Sequence, residues 1–229
     1  MCSLLGRFIA VKDPNIRYLG LDAMTRMAKL DGSEAVQMHQ STVLESLKDT
    51  DISVRKRALN LVYVLTDRSN AQVIVADLLA HLPEADSAMK EDIVVKIAIL
   101  AEKFATDLRW YVNTMVQVIL VAGDFVAEAV WYRVVQIVIN NASIHEYAAE
   151  KMLLTVESKY AHDNIVAVAA YLLGEIGVNI CEHTGMSGYD QFVALHQHMP
   201  TASLKVMIVF VFFLCLSFFI HTFTEGAEN

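Results

Sequence analysis

The sequence predicts an all-α protein built as a HEAT- or armadillo-like helical-repeat array of about five helix pairs, followed by an apolar C-terminal helix. Three observations carry that expectation. Helix breakers are scarce, with nine glycines and three prolines in 229 residues, where a sheet protein would need more of both at its turns. Hydrophobic residues make up 55% of the chain, enough for a sizeable core. A helix-opening pattern also recurs at a near-constant interval.

The clearest copy of that pattern is Asp51-Ile52-Ser53-Val54-Arg55-Lys56-Arg57-Ala58-Leu59. Asp51 or Ser53 can accept from free N–H groups at a helix start. Val54, Ala58, Leu61, Val62 and Leu65 then share one helical face. Aligning the apolar residue after the cap gives Ile16, Val54, Met89, Val126 and Ile165, at intervals of 38, 35, 37 and 39 residues. A helix pair of HEAT or armadillo type occupies roughly 40 residues. A basic residue follows the first three markers, as Arg17, Arg55 and Lys90, and gives way to Ala127 and Val166 in the last two.

First helices are expected over 14–28, 51–66, 87–104, 124–140 and 163–177, and second helices over 33–48, 70–82, 107–121, 145–158 and 187–199. Ala71, Val75, Leu78 and Leu82 outline the buried face of one second helix. Ser69-x-x-Gln72 and Ser143-x-x-Glu146 read as capping boxes at second-helix starts. Leu4, Leu5, Phe8 and Ile9 read as the end of an earlier second helix, and neither end of the array shows a capping repeat.

The residue inventory argues against several functions. A net charge of −8 offers no general attraction to a phosphate backbone, so no nucleic-acid partner is expected. Cys2, Cys181 and Cys215 are widely spaced and suggest neither a disulfide framework nor a zinc site, as in a reducing cytosol. The opening residues, without a long apolar core ahead of a small-residue cleavage site, lead to no expectation of a secretory signal. A nucleophile elbow, an HExxH helix and paired carboxylates in an apolar setting are absent, so no enzyme, catalytic residue or cofactor is expected.

Arg55-Lys56-Arg57, with Lys48 nearby, could touch a phosphate or an acidic headgroup, but falls short of the four to eight clustered basic residues that mark lipid binding. Pairing of Asp51 and Arg55 along a ladder of successive first helices is the expectation. His196 and His198, with His183 before them, have a metal-like spacing, yet residues two apart on a helix diverge and no ligand set is completed; no metal is expected. Gly185-Met186-Ser187-Gly188 lacks the lysine and strand of a phosphate loop and reads as a turn. Glu102 and Glu175 follow apolar stretches as candidate buried acids, with salt-bridged helix positions the simpler reading. Trp110-Tyr111 and Trp131-Tyr132 read as core packing between repeats.

The C-terminal stretch departs from this pattern. Val206 to Ile220 carries no charge, and with His221 to Phe223 it reaches the lower limit of ~17 residues for a membrane span. Lys205 before it and Glu225 and Glu228 after it would leave the array in the cytoplasm if 206–223 crossed a bilayer.

Several blocks resemble the trunk of the alpha-type large subunits of the AP-2 clathrin adaptor, over roughly residues 4–200. They include Leu4-Leu5-Gly6-Arg7-Phe8-Ile9-Ala10-Val11, Asn15-Ile16-Arg17-Tyr18-Leu19-Gly20-Leu21, Asp67-Arg68-Ser69-Asn70-Ala71 and Ile99-Leu100-Ala101-Glu102-Lys103-Phe104. Trp110-Tyr111-Val112, Ala122-Gly123-Asp124-Phe125-Val126, the run from Val130 to Gln136 and Leu173-Gly174-Glu175-Ile176-Gly177 follow in the same order. The opening blocks are closer to plant and related adaptins than to animal ones. Other HEAT scaffolds, such as transport receptors or phosphatase scaffolds, would lack the Asp67–Asn70 and Val130–Arg133 blocks.

The resemblance implies a curved helical array, a non-enzymatic role in clathrin-mediated endocytosis, and packing with a beta-type large chain, a medium chain and a small chain. It implies an indirect link to clathrin and a peripheral place at plasma-membrane coated pits. The family's phosphoinositide patch and dileucine-cargo surface belong to an earlier part of its trunk and its appendage to a later one, so no site residue is transferred. On this reading 1–203 is a trunk fragment. The tail, 204–229, is then either a membrane segment or the product of a retained intron or faulty gene model, the second being preferred; a membrane-anchored helical-repeat protein is the rival reading of the whole chain.

Overall fold

The computed structural model describes residues 2–30, 32, 34–158 and 161–198. These form helices α1 (Cys2–Ile9), α2 (Pro14–Leu30), α3 (Glu34–Gln37), α4 (Gln40–Glu45), α5 (Ile52–Leu65), α6 (Ala71–His81) and α7 (Ser87–Phe104). They continue as α8 (Leu108–Ala122), α9 (Glu128–Ile139), α10 (His145–Val156), α11 (Asp163–Ile176), α12 (Cys181–Thr184) and α13 (Gly188–His196). No strand occurs among the described residues. The order of long elements reproduces the expected alternation of first and second helices, and the fold is of the all-α helical-repeat class. The apolar run 206–220, Cys215 and the tail 204–229 lie outside the described residues, and so does the proposed span 206–223.

The chain divides into two compact units, 1–104 and 105–229. In the first, α1 packs on α2, α2 on α5, α4 on α5, and α6 on α7. The face predicted for α5 is the one it buries: Val54, Ala58, Leu61, Val62 and Leu65 are each at most 1% exposed. Truncating one of its leucines to alanine would cost about 2–5 kcal/mol, the transfer term plus the cavity left behind. In the second unit α11 is the central element, packing against α9, α10 and α13. Its small residues Ala167, Ala169 and Ala170 are buried, which lets neighbouring backbones approach. The stretch Asp163–Ile180 is long and apolar enough to cross a membrane by length and composition, but most of it is buried inside this unit, as expected of a core helix that is apolar all round.

Three sequence expectations change. The second helix expected over 33–48 is broken into α3, α4 and a 3-10 turn at Ser46–Lys48. The break at 38–39 brings the His39 ring against Gly6 of α1, where an added Cβ would come within 2.4 Å of the ring. The helix expected from 124 begins at Glu128, because Gly123–Phe125 form a 3-10 turn that opens on Gly123 at φ +54°. After α11 the chain coils through a 3-10 turn at Gly177–Ile180 and α12, neither of them expected.

The two expected capping boxes are not formed. Asp67, not Ser69, accepts the N–H groups of Ser69 and Asn70, at 2.7 and 3.2 Å, and the Ser69 hydroxyl also donates to it. An aspartate offers two acceptor oxygens on a short stem and outcompetes the serine hydroxyl for the turn. Ser143 lies inside a 3-10 turn, Ala142–Ile144, and α10 starts without a side-chain cap. A capping box is instead built at α13, where Ser187 accepts from the Asp190 N–H and Asp190 accepts from the Ser187 N–H.

Candidate functional site

The basic run of α5 is held from below by its cap. Asp51 Oδ1 accepts from the Ser53 and Val54 N–H groups at 2.7 and 3.3 Å, and these bonds hold its carboxyl below the usual range, the Ser53 N–H contributing most. Arg55, one turn on, points back over the loop that precedes the helix. Its Nη1 donates to the Asp49 carbonyl at 2.7 Å and the Thr50 carbonyl at 3.4 Å, and its Nη2 pairs with Asp86 at 2.6 Å.

The same arrangement stands one repeat earlier. Asp13 Oδ1 accepts from the Asn15 and Ile16 N–H groups at the start of α2. Arg17 Nη1 donates to the carbonyls of Val11 and Lys12, both at 3.1 Å, while Nη2 pairs with Asp49 at 2.7 Å. Each arginine thus fastens its own entry loop and reaches the loop entering the next first helix. The ladder is present: Arg55 meets Asp86, the acid at the capping position of the next repeat, as expected, whereas Arg17 meets Asp49, two residues before the capping Asp51. At α5 the capping carboxylate of Asp51 is committed to the Ser53 and Val54 N–H groups, which leaves the bridging role there to Asp49.

The remaining cations are also matched. Lys56 lies 3.1 Å from Asp92, Arg57 2.8 Å from Asp22 and Lys48 3.6 Å from Glu84. Arg57 also donates to the Tyr18 hydroxyl, and its guanidinium stands 4.7 Å from the centre of the Tyr18 ring. Lys48, Arg55, Lys56 and Arg57 therefore form no unopposed positive patch. A phosphate would have to displace a carboxylate at each position, which leaves the basic run a poor headgroup site.

The Lys48–Glu84 and Arg55–Asp86 pairs flank an open cleft of about 250 Å³ whose lining also includes His81. His81 hydrogen-bonds the Leu47 backbone, and burial, reinforced by the charge of Lys48, lowers its pKa from the ordinary 6.5. Its Nδ1 and the Nε of Arg55 are buried without a partner. Arg17 Nε has the same status, so an idle Nε belongs to the way this arginine spans two loops and is no mark of a ligand at the cleft. Sequence reading passed over His81 because nothing in the pattern around it differs from an ordinary helix end.

In the second unit the corresponding joint has no arginine. Asn164, at the start of α11, donates from Nδ2 to the carbonyls of Gly123 and Val126 at 2.9 and 3.4 Å. His162 caps the helix, its Nδ1 accepting from the Asn164 N–H at 3.2 Å, while Nε2 faces Asp124 at 3.2 Å. The ring lies so close to Gly123 that a Cβ there would stand 3.0 Å from it; small size and positive φ together require glycine at that turn. Sequence reading noted that basic residues disappear from the last two repeats but did not find Asn164. The signal available was an amide side chain placed one residue before the marker Ile165.

The other candidates fall into structural places. His198 is buried and its Nε2 hydrogen-bonds the Val156 carbonyl at 2.7 Å, alongside Gln197, which donates to the same oxygen at 2.8 Å. His196 is exposed and its ring lies tilted against that of Phe192, ring centres 5.4 Å apart. The His183 side chain lies outside the described part, and among the described residues no group of three potential ligands gathers. Gly185 at φ +67° ends α12 and Ser187 caps α13, so 185–188 is a turn between helices. Glu102 and Glu175 are exposed, not buried acids. Tyr111 and Trp131 are core residues, whereas Tyr132 is 47% exposed and stacks on Trp131 at 3.9 Å; the two Trp-Tyr pairs are therefore not equivalent.

Comparisons with known proteins place this arrangement. A family model described as the adaptin N-terminal region matches residues 1–211. The chain is 48% identical over 202 residues, 88% of its length, to AP-2 complex subunit alpha-2 of Arabidopsis thaliana, and 46% identical over 200 residues, 86% of its length, to AP-2 complex subunit alpha-2 of Dictyostelium discoideum. It spans about a fifth of each of those relatives, 20% in both cases. In fold it is similar to a chain of a homology model of the full-length AP-3 complex in an intermediate open conformation, with a TM-score of 0.65 at 16% identity, covering 95% of this chain and 42% of that one. With its repeat period, its loop-bridging arginines and this likeness to alpha subunits of AP-2, the chain belongs to the adaptin N-terminal-region family.

Proposed function

We propose that the chain acts as a non-enzymatic scaffold, a segment of an AP-2-type alpha trunk that serves clathrin-mediated endocytosis and vesicle-mediated protein transport. On this reading residues 1–203 are the trunk segment and 204–229 form a tail of unusual, apolar composition. Partners are a beta-type large chain, a medium chain and a small chain, with clathrin engaged indirectly and the membrane peripherally, on the cytoplasmic side of coated pits. The single observation that supports this most is the use of the chemistry-bearing side chains. Arg17, Asp49, Arg55 and Asp86 are spent on holding one repeat to the next, which suits a rigid surface for packing against other chains.

The experiment is a replacement. Residues 1–203 are put in place of the corresponding segment of the Arabidopsis thaliana alpha subunit, and the tagged chimera is recovered from cells. Co-purification of the beta-type large, medium and small chains at near-native stoichiometry is expected. A chimera that accumulates as a folded chain but recovers none of them would overturn the assignment.

A further inference from the structure

The joint closed by Arg55 and Asp86 has a counterpart on the second helices. His81, the last residue of α6, reaches the Leu47 backbone in the 3-10 turn that ends the preceding second helix. Its Nδ1 is buried without a partner, so the bond to Leu47 is made by Nε2. That bond favours the protonated ring, which makes the Leu47 carbonyl the acceptor and places the hydrogen of the neutral ring on Nε2. Nδ1 is left with a buried lone pair.

This seat suits a neutral ring and penalises a charged one. A second proton goes to Nδ1, where a buried N–H without an acceptor is costly. The groups around the ring come from three directions: Lys48 and Asp49 from the turn after α4, Arg55 from α5, and Glu84 and Asp86 from the loop after α6. Asp77, one turn earlier on α6, is exposed. Asp49 is held by Arg17 and Asp86 by Arg55, which leaves Glu84 as the acid at hand. Its pair with Lys48 is longer, at 3.6 Å, than those of Arg17, Arg55, Lys56 and Arg57, and the two side chains are 69% and 68% exposed. Such a pair contributes little and its carboxylate is readily given up. Because Nδ1 has no exposure, an acceptor in solvent meets it only when the ring turns out of its seat.

We propose that His81 is an acid-released clasp between the second helices of adjacent repeats: on protonation its ring leaves the Leu47 carbonyl for Glu84 at the mouth of the cleft, while the Arg55–Asp86 rung still holds the first helices. The joint then flexes about the rung. In the second unit a similar clasp is doubled. His198 Nε2 meets the Val156 carbonyl at the end of α10, and Gln197 donates to the same oxygen. Loss of the histidine there leaves the amide in place, so release by acid belongs to the first clasp.

The test is amide exchange in the full chain at pH values of about 7.5 and 5.5, corrected for the intrinsic pH dependence of exchange. The reporters are the Leu82 and Asp49 N–H groups, hydrogen-bonded to the Leu78 and Ser46 carbonyls at the two clasped ends. The released ring takes its proton with the ordinary pKa of 6.5, and each pH unit below that value favours opening by up to about tenfold. Both reporters are expected to exchange about tenfold faster at the lower pH. Their rates there should not change in about 1 M urea, because the opening is local, whereas α5 amides that exchange through global unfolding should accelerate. His81→Gln, which can donate to Leu47 but does not titrate, should abolish the pH effect, and Glu84→Gln should reduce it several-fold. Magnetic resonance of the ring nitrogens should show the Nε2–H form at the higher pH. Reporters that do not accelerate, that follow α5 in urea, or that respond to pH equally in either variant would overturn the proposal, as would an Nδ1–H ring.

Discussion

The joint at Asp49–Arg55 and the joint at Gly123–Asn164 perform the same task with different chemistry. Each ties a loop entering one first helix to a neighbouring repeat. In the first unit a guanidinium does so with two backbone carbonyls and a carboxylate. In the second a neutral amide takes two carbonyls and a histidine supplies the cap. The requirement imposed by the repeat is a donor that reaches back across the loop; charge is optional. Where charge is used, the joint gains reach and directionality but takes on a desolvation cost and the hazard of an unpaired partner.

That difference can be broken open by substitution. The largest effect is expected for Arg17→Leu, because its partner Asp49 is only 9% exposed and would be left as a buried, unpaired carboxylate. A loss of about 3 kcal/mol is expected from urea unfolding, partly relieved by Asp49→Asn in the same chain. Asn164→Ala should cost about 1–2 kcal/mol through two orphaned carbonyls, and the loss should be the same at low and high salt. Arg55→Leu should fall near 1 kcal/mol, since Asp86 is half exposed and solvent screens the pair; the double variant with Asp86→Leu should recover part of it. Lys56→Ala, whose partner Asp92 is as exposed as the lysine itself, should change stability by less than about 0.5 kcal/mol.

Acid should probe the first unit further. His81 has a folded-state pKa below its ordinary 6.5, so between those values the unfolded chain binds a proton that the folded chain refuses. Stability should therefore fall as pH drops below about 6.5, and His81→Gln should flatten that decline in the urea midpoint. Asp51 and Asp67 are held below their ordinary 3.8; their contribution is intact above that value and disappears as pH falls through their folded pKa values. The His81 decline sets in below about 6.5 and that of the two aspartates below 3.8, so a titration shows them starting at different pH values.

The repeat period, the buried face of α5 and the cap at Asp51 were legible because each depends on spacing along one helix. The ladder was half legible. Recurrence of Asp and Arg exposed the joint, but the acid that closes each rung sits more than thirty residues away in a loop, and no local pattern chooses between Asp49 and Asp51. Ser69 and Ser143 misled for a related reason: a capping motif names residues that can bond, while the competition with Asp67 or with a 3-10 turn is settled by the fold of the loop. Gln191 escaped notice, as did the burial of His198, because a polar side chain at a buried position reads as surface until the helix beside it is known. The breaks at 38–39 and 123–125 arise from contacts with His39 and His162 that sequence periodicity does not encode.

Asp49 takes part in two rungs at once. Its carboxylate receives Arg17 while its carbonyl receives Arg55, so the rungs are links of one chain running from residue 17 to residue 86. Strain applied at one joint is handed to the next through a single residue, with no compliant loop between them. Under mechanical pull this stretch should yield as one event, not repeat by repeat, giving that part of the array the character of a beam.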